Sequence, residues 1–344
     1  MKNNATRKLD IDIVILWVDS EDLNWQRKLE HYSKGSNKTS NDFRKSRYRC
    51  LGMLKYIFRS IDNFMPWVRK IHLVTEGHLP DWLDTKDSRL NIVTHNDIFS
   101  RVDDLPTFNS NAIESNLDLI KGLSERFILF NDDTIVLQPV SQSRFFIRGL
   151  PVDFLELSIP RPQFFYRFIR KSNALNVSVI NNCLRHLRRT KAWSNFRKSE
   201  ELDQSSRLVY KIFRKYSWIK INHVPQPHLK STISYFRENQ QLLQQTSKHR
   251  FRNANDISHY VHRYFNLLMG DFVGSNSYKH DSLSIEIKSK SDLNRLEAIL
   301  KKNRLVLLSV SDSEILSEKD FKEMVEFLSV YFEKLIPRKC SFEL

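Results

Sequence analysis

Two apolar runs decide the fold, IDIVILWV at residues 11–18 and FILF at residues 127–130, and each is followed at once by polar residues. Largely apolar runs of this length are typical of strands that are buried on both faces of a parallel sheet. Two more strands are predicted at 71–75 and 90–94, and segments with helical apolar spacing lie between the strands. Strands that alternate with helices predict an α/β layer, in which a mainly parallel sheet is flanked by helices.

The second half of the chain is predicted to be largely helical. Its apolar residues recur at helical spacing in the segments 173–190, 205–216, 230–246, 254–269 and 291–302. A strand at 304–309 and an amphipathic last helix, in which Ser317 and Asp320 resemble a capping box, then return to the core. The polar segment 1–10 is predicted to be disordered, and the polar segment 34–46 is predicted to be a mobile loop.

Composition excludes several classes of protein. Lys and Arg number 55 against 40 Asp and Glu, and the net charge of +15 favours anionic partners: nucleotides, phosphates, nucleic acid or an acidic membrane face. A solvated basic surface is the alternative. The 7 glycines form neither a Walker A loop nor a G-x-G-x-x-G fingerprint, so any phosphate is held without a glycine-rich cradle. The 3 distant cysteines give no zinc knuckle or disulfide framework, which fits a reducing compartment.

Apolar segments long enough to cross a membrane are missing from the sequence. A membrane span needs about 20 consecutive apolar residues, and the first apolar run ends at Asp19. The N-terminal segment is polar rather than signal-like. We therefore expect a cytoplasmic protein, either free or at a membrane surface.

Three short polar residues, Asn131, Asp132 and Asp133, come directly after the FILF strand. They are predicted to lie at the carboxyl edge of the sheet, where open α/β sheets bind their ligands. Two adjacent carboxylates there are able to hold Mg²⁺ or Mn²⁺, and the metal then bridges a diphosphate. The alternative is an ordinary turn, since Asn and Asp are common turn formers.

Trp17 and Asp19 end the first strand, so they are expected at the same edge of the sheet. Trp17 is suited to stack on a base or a sugar, and Asp19 is suited to accept hydrogen bonds from hydroxyls or an imide. A buried Trp beside a turn Asp is the alternative interpretation.

A basic set runs from the polar loop into the next helix, and it consists of Arg44, Arg47, Arg49, Lys55 and Arg59. The guanidinium fork matches phosphate geometry, and we assign Arg47, Arg49 and Arg59 to donor binding. Cations near a helix N-terminus oppose the helix dipole unless an anion binds there too. A solvated basic face is the alternative.

Other candidates come from single residues. Glu114 lies on the margin of an apolar helical stripe, where it either faces a site or pairs with solvent-facing neighbours such as Asp118. One histidine of the segment HVPQPH, His223 or His228, is a candidate general base, or both are structural loop residues. Arg250 and Arg252 are either phosphate clamps or surface charges.

Taken together, these segments resemble the Stealth family of sugar-1-phosphate transferases. The run IDIVILWVDSED is similar to the first block of the family. Three consecutive stretches are similar to its second block: RYRCLGMLKYIFRSIDNFMPWVRKIHLVTEGHLPDWL, LNIVTHNDIF and LPTFNSNAIESNLDLIKGLSERFILFNDD. The third block is seen in VPQPHLKSTISYF and HRFRNANDISHYVHRYFNLLMG, and the fourth in LVLLSVSD and IPRKCSFEL.

This resemblance implies a Rossmann-like fold of the nucleotide-sugar transferase type. It divides the chain into a nucleotide-sugar-binding core at 11–160, a mostly helical acceptor-side region at 161–303 and a returning strand and helix at 304–344. The implied reaction moves a hexose 1-phosphate from a UDP-hexose or UDP-N-acetylhexosamine to a hydroxyl of an oligosaccharide or lipid-linked glycan. That reaction builds a phosphodiester-linked bacterial capsular or exopolysaccharide and releases UMP, at the inner face of the membrane or free in the cytoplasm.

The resemblance also implies roles for single residues. Its donor-binding and catalytic positions fall on Trp17, Asp19, Arg47, Glu114, Asp132, Asp133, His228 and Arg252. Asp132 and Asp133 are expected to hold a divalent metal, Mg²⁺ or Mn²⁺. Glu114, Asp133 or His228 is expected to orient or deprotonate the acceptor. Asp312 is retained from the fourth block, but Asn253 stands where the animal enzyme has His, so the general base stays open.

Two other functions compete with this one. A metal-dependent glycosyltransferase would use the same aspartates and donor, but the acceptor would attack the anomeric carbon of the donor sugar and UDP would be released. A nucleic-acid-binding module is suggested by the net charge of +15. The aromatic residues match no RNP-like motif, so nucleic acid is not an expected partner.

Overall fold

The computed structural model describes residues 9–34, 42, 45–158, 168–187, 206, 208, 212 and 218–344. Three predicted segments lie largely outside these ranges: the N-terminus at 1–10, the loop at 34–46 and the helix at 205–216.

The strands of the described residues form four separate sheets. In chain order they are β1 (Ile11–Leu16), β2 (Ile71–Thr75), β3 (Leu90–Thr94), β4 (Arg126–Asn131), β5 (Thr134–Val136), β6 (Phe146–Ile147), β7 (Leu150–Asp153), β8 (Leu157–Ser158), β9 (Trp218–Ile219), β10 (Gln226–Leu229), β11 (Val273–Gly274), β12 (Ser282–Ile287) and β13 (Leu307–Asp312). The main sheet has the order β10-β4-β1-β2-β3. Its strands β1 to β4 are mutually parallel, and only β10 is antiparallel to its neighbour. The predicted α/β class with a mainly parallel sheet is therefore confirmed.

Both faces of the main sheet are covered. Ile13 and Phe130 belong to one buried cluster, whereas Val14 and Phe127 belong to another on the opposite face. This is why the strands read as nearly continuous apolar runs: each residue of β1 is buried whichever way it points, and its one charged residue, Asp12, contacts Arg69 and His72. A third cluster, which includes Val177 from the second half of the chain, lies apart from these two.

Helices occupy the segments between strands and most of the described second half. They are α1 (Leu23–Ser33), α2 (Leu54–Phe64), α3 (His95–Ile98), α4 (Ser110–Glu114), α5 (Phe168–Leu187), α6 (Lys230–Asn239), α7 (Gln241–Ser247), α8 (Tyr260–Met269), α9 (Ser277–His280), α10 (Lys290–Leu300) and α11 (Glu318–Leu335). The helix predicted at 230–246 is broken by the extended backbone of Gln240. The helix predicted at 254–269 begins only at Tyr260, because the residues before it form a loop.

The C-terminal strand and helix pack on the main core. In α11, Met324, Leu328 and Phe332 are buried in the same cluster as α2, and Ser317 caps the helix by accepting a hydrogen bond from the Asp320 N–H. Strand β13 pairs with β12 and with β5. Since β5 follows β4 after a two-residue turn, β13 is brought to the carboxyl edge of the main sheet.

The structure gives Arg59 a structural position, which corrects its assignment to donor binding. Its guanidinium donates to both carboxylate oxygens of Glu343, at 2.7 and 2.9 Å, to Glu333 at 3.0 Å and to the Ile336 carbonyl at 2.9 Å. Burial would raise the pKa of Glu343, but Arg59 more than offsets this effect and lowers that pKa to about 2. Arg59 therefore ties α2 to the end of α11 and to the C-terminal residues.

Removing Arg59 should destabilise the fold. The variant Arg59→Met leaves Glu343 as an uncompensated buried charge, and we expect the free energy of unfolding in urea to fall by about 3–5 kcal/mol. Lys55→Met is the matched control, because Lys55 is more exposed than Arg59 and its Nζ lies 3.8 Å from Glu333. This variant should lower the free energy of unfolding by less than about 1 kcal/mol. Equal losses in the two variants would contradict this role.

Candidate active site

A cavity of about 530 Å³ opens at the carboxyl edge of the main sheet. Its size suits a ligand as large as a nucleotide sugar. Most of the residues predicted for the site line it together: Trp17, Arg47, Arg49, Glu114, Asp132, Asp133, Arg252 and Asp312. They come from the ends of β1, β4 and β13, from α4 and from two loops, so segments far apart in sequence build one pocket.

Asp132 and Asp133 form the turn between β4 and β5. The Thr134 hydroxyl closes this turn through two hydrogen bonds with the backbone of Asn131. It accepts one from the Asn131 N–H at 3.1 Å and donates one to the Asn131 carbonyl at 2.9 Å. The carbonyl of Asp133 accepts from the Val310 N–H of β13 at 3.0 Å. The turn is thus held from both sides, and its two carboxylates are displayed to the cavity.

The acidic side chains of this turn repel one another. Burial, and then the charge of Asp133, raise the pKa of Asp132 to about 7. The charge of Asp312 also contributes to the raised pKa of Asp132. Burial raises the pKa of Asp312 itself. The Oδ1 atom of Asp133 is buried without a hydrogen-bond partner. A cation beside these oxygens would relieve both the repulsion and the unmet hydrogen-bonding capacity.

Carboxylate oxygens are the ligands that Mg²⁺ and Mn²⁺ prefer. Among the described residues, no group of three or more His, Cys, Asp or Glu side chains is arranged to hold a metal with protein ligands alone. Mg²⁺ is commonly bound by one or two carboxylates that share it with substrate phosphates and water. The donor set at Asp132 and Asp133 fits that second mode.

Three arginines line the same cavity as this acidic turn. Arg49 lies 3.5 Å from Asp312 Oδ2 and sits over the Phe321 ring at 4.8 Å. Arg47 donates to Asp42 Oδ2 at 2.9 Å, and Arg252 contacts the Ser110 hydroxyl. Each guanidinium is fixed by a neighbour while it lines the cavity, which is the arrangement that binds phosphate oxygens with little loss of side-chain entropy.

The loop that carries Arg252 is held by a buried polar cluster that the sequence did not reveal. Asn109, which caps α4, donates to Asp256 Oδ2 at 2.9 Å and to the His249 carbonyl at 3.1 Å. Asp256 in turn lies 2.6 Å from His249 Nδ1. Arg250 of the same loop donates to the carbonyls of Leu105 and Pro106 and does not line the cavity, so it is not a phosphate clamp.

Glu114 is buried and faces the cavity rather than solvent. Its Oε2 accepts a hydrogen bond from His259 Nδ1 at 2.8 Å. Burial alone would raise the pKa of Glu114, but the charge and hydrogen bond of His259 lower it overall. The predicted solvent-facing partner Asp118 is also buried, where Arg237 and Ser234 bond its carboxylate, so the surface-pair alternative is wrong.

Of the two candidate loop histidines, the structure brings His223 to the cavity. Its Nε2 lies 3.2 Å from Asp133 Oδ2, and its Nδ1 lies 3.1 Å from the Tyr260 hydroxyl. Burial would lower the pKa of His223, but Asp133 more than offsets this effect and raises it. His228, the histidine chosen by family resemblance, lies inside β10 instead.

His228 is not part of the cavity, which corrects its assignment as a base. It is buried against Phe127, and neither ring nitrogen has a hydrogen-bond partner. Burial lowers its pKa well below the ordinary value.

Asp19 also lies outside the lining of the cavity. Its carboxylate accepts a hydrogen bond from the Glu21 N–H at 2.9 Å, as the turn alternative expected.

His259, by contrast, lines the cavity, and the sequence analysis missed it because no motif singles it out.

Within the described ranges, no helix combines the length and the apolarity that a bilayer span requires.

Comparisons with known proteins place the chain in a family. Residues 47–151 match the family model for Stealth protein CR2, conserved region 2. A capsular polysaccharide phosphotransferase WcwK of Streptococcus pneumoniae is 33% identical over 97% of this chain and 98% of its own length. The receptor polysaccharide phosphotransferase WefC of Streptococcus oralis is 30% identical over 97% and 99%. The exopolysaccharide phosphotransferase cps2G of Lactiplantibacillus plantarum is 30% identical over 97% and 96%.

The chain therefore belongs to the Stealth family and is a transferase enzyme of the phosphotransferase type. Among solved structures, it is similar to the galactosyltransferase LgtC in complex with donor and acceptor sugar analogues, with a TM-score of 0.36 and 11% identity over 92% of this chain and 95% of that one. At this score the likeness is loose, and the fold class rests on the sheet described above.

The buried histidines predict a loss of stability in acid. Burial lowers the pKa of His262 to about 3, and neither of its ring nitrogens has a hydrogen-bond partner. Below its ordinary pKa of about 6.5, the unfolded chain binds a proton that the folded chain does not, so stability falls with falling pH. The variant His262→Leu should make this slope shallower by up to about 1.4 kcal/mol per pH unit between pH 6 and pH 5.

The measurement is the free energy of unfolding in urea at several pH values. His280→Leu is the control, because His280 is exposed and should leave the slope unchanged. If His262→Leu and wild type have the same slope, the histidine is not held neutral in the fold.

Proposed function

We propose that this protein transfers a hexose 1-phosphate from a UDP-sugar to a hydroxyl of a growing bacterial capsular or exopolysaccharide. The product is a phosphodiester, and UMP is released. The observation that carries the proposal is that Asp132 and Asp133 of the acidic turn line the same cavity as Arg47, Arg49 and Arg252. Opposed carboxylates and guanidiniums are what a metal-bound diphosphate needs, since the metal binds the acids and the phosphate oxygens bind the arginines.

The relatives support the same chemistry. They match over nearly the whole chain, and their names describe phosphotransferases of capsular, receptor and exopolysaccharides. A transferred group that carries phosphorus requires attack at phosphorus rather than at the sugar carbon. Such an enzyme must stabilise charge on the phosphoryl oxygens, and it needs no covalent nucleophile of its own.

The donor is proposed to lie along the strand ends. Trp17, at the end of β1, offers an aromatic face for the uracil or the sugar. Arg47 and Arg252 approach from separate loops and are proposed to bind the non-bridging oxygens of the pyrophosphate. Arg49 is proposed to assist them while it remains near Asp312.

Asp132 and Asp133 are proposed to hold the divalent metal, Mg²⁺ or Mn²⁺. When bound, the metal would neutralise charge on the leaving UMP and the transferred phosphoryl group. His223 bonds Asp133 and thereby fixes the orientation of that carboxylate.

The acceptor is proposed to be an oligosaccharide or a lipid-linked glycan that enters from the helical half of the chain. Because UDP-sugars are made in the cytoplasm, the reaction is proposed to occur there. The surplus of basic residues favours approach to the acidic inner leaflet, where each nearby Lys or Arg contributes about 1 kcal/mol.

Identification of the released nucleotide tests the reaction. The enzyme is incubated with Mg²⁺ or Mn²⁺, a panel of UDP-hexoses and UDP-N-acetylhexosamines, and short oligosaccharides from a phosphodiester-linked bacterial polysaccharide. We expect UMP, and a phosphodiester signal in the phosphorus NMR spectrum of the product. Release of UDP would instead identify a glycosyltransferase and refute the proposal.

Substitution of Asp133 tests the metal site. The variant Asp133→Ala removes one of the two proposed metal ligands and should lower kcat by at least about 10⁴-fold, the upper end of what the loss of a general base usually costs. Circular dichroism should show an intact fold. Asp81→Ala, which removes an exposed carboxylate, should leave kcat unchanged. Turnover by a folded Asp133→Ala enzyme within tenfold of wild type would remove the assignment.

A further inference from the structure

We propose that His259, oriented by Glu114, is the general base that removes the proton from the acceptor hydroxyl. This inference rests on the proposed function and names the residue that activates the nucleophile. Family resemblance pointed to a different histidine, and no motif in the sequence marks this one.

The geometry is that of a carboxylate–imidazole pair. His259 Nδ1 lies 2.8 Å from Glu114 Oε2, and the His259 backbone N–H reaches the same oxygen at 3.4 Å. The side chains are 8% and 4% exposed, so their relative orientation is set by the surrounding packing. Both line the cavity, together with Arg252.

This contact selects the tautomer of the ring. An ionised carboxylate only accepts hydrogen bonds, so Nδ1 must carry the proton and donate it to Glu114. The other nitrogen, Nε2, then has a free lone pair, and no described residue bonds it. A positioned Nε2 with a carboxylate behind the ring is the arrangement that activates hydroxyls in many hydrolases.

The other histidines of the region are less suited to this role. Both ring nitrogens of His223 are engaged, with Asp133 and with the Tyr260 hydroxyl. His228 and His262 are buried and do not line the cavity. Asn253, at the position where the family resemblance expects a histidine, has no basic nitrogen. His95 also lines the cavity, but its buried Nδ1 has no hydrogen-bond partner. Among the described residues, His259 is therefore the cavity histidine that combines access with an orienting carboxylate.

The proposed step is balanced as follows. The acceptor hydroxyl loses its proton to His259 Nε2 as its oxygen bonds to the β-phosphorus of the donor. The bond from that phosphorus to the bridging oxygen breaks, and its electron pair leaves with UMP. The imidazolium that forms is stabilised by Glu114 and returns its proton to solvent or to the departing UMP.

Kinetics of single and double variants test the pair, with UMP release as the signal and the UDP-sugar that turns over fastest as donor. His259→Gln should lower kcat by about 10²–10⁴-fold and leave the donor KM within about threefold of wild type. Glu114→Gln should also lower kcat. Because the two residues act as one unit, the double variant should be no slower than His259→Gln alone.

Rescue and control variants separate catalysis from structure. Imidazole added to His259→Gly should restore part of the turnover, which a merely structural role would not allow. His280→Gln, an exposed substitution, should match wild type. Thermal unfolding checks each variant, and if His259→Gln does not fold, Glu114→Gln and the imidazole rescue of His259→Gly carry the test.

Three results would overturn the inference: near-wild-type kcat in His259→Gln, additive losses in the double variant, or failure of imidazole to rescue a folded His259→Gly. The proposed function fails separately, since it requires wild-type enzyme to release UMP. If wild type releases UMP and His259→Gln does so equally fast, only the role of His259 is wrong. If wild type releases none, both proposals fall together.

Discussion

The parallel register between β1 and β4 is the constraint on which the site depends. Leu16 pairs with Asn131, so the residues that follow these two, Trp17 and Asp132, leave the sheet side by side. Alternate side chains of both strands pack into different clusters, and a slip by one residue would move every side chain to the opposite face and disrupt both clusters. The pairing of β1 with β4 thus places the aromatic ring of Trp17 near the carboxylates of Asp132 and Asp133.

The rest of the chain completes the pocket by bringing unlike charges to this edge. Strand β13 joins the turn after β4 through the bond from the Val310 N–H to the Asp133 carbonyl, and this pairing delivers Asp312. The Asn109–Asp256 contact holds the loop that delivers Arg252. The acids are partly or fully buried close to one another, which costs free energy when they are ionised. A ligand that supplies positive charge to the acids and negative charge to the arginines would offset this cost.

The four parallel strands of the main sheet could be predicted from the sequence, because their signal is local, whereas β10 was not predicted. The runs at 71–75 and 90–94 become strands with the predicted bounds, and each polar cluster lies at the predicted edge. Asp132 and Asp133 could be singled out for the same reason. They follow a predicted strand directly, so the strand itself places them at the carboxyl edge of the sheet, where ligands bind.

Residues whose role depends on distant partners could not be predicted. In the sequence, Arg59 is one more member of the basic set, and only the return of the chain end supplies its partner Glu343. His223 and His228 are five residues apart, but β10 begins between them and buries the second. Glu114 ends a helix of 5 residues, so the helical spacing that suggested a surface pair with Asp118 does not continue beyond it. His259 acquires a partner only through a contact that spans 145 positions of the chain.

A crystal structure with Mn²⁺ and UDP tests the central claim most directly, because the anomalous signal of manganese marks the metal without assumptions about the reaction. The account predicts a manganese peak within bonding distance of Asp132 and Asp133, with the diphosphate of UDP between that peak and Arg47 and Arg252. A manganese peak or a diphosphate located outside this cavity would contradict it.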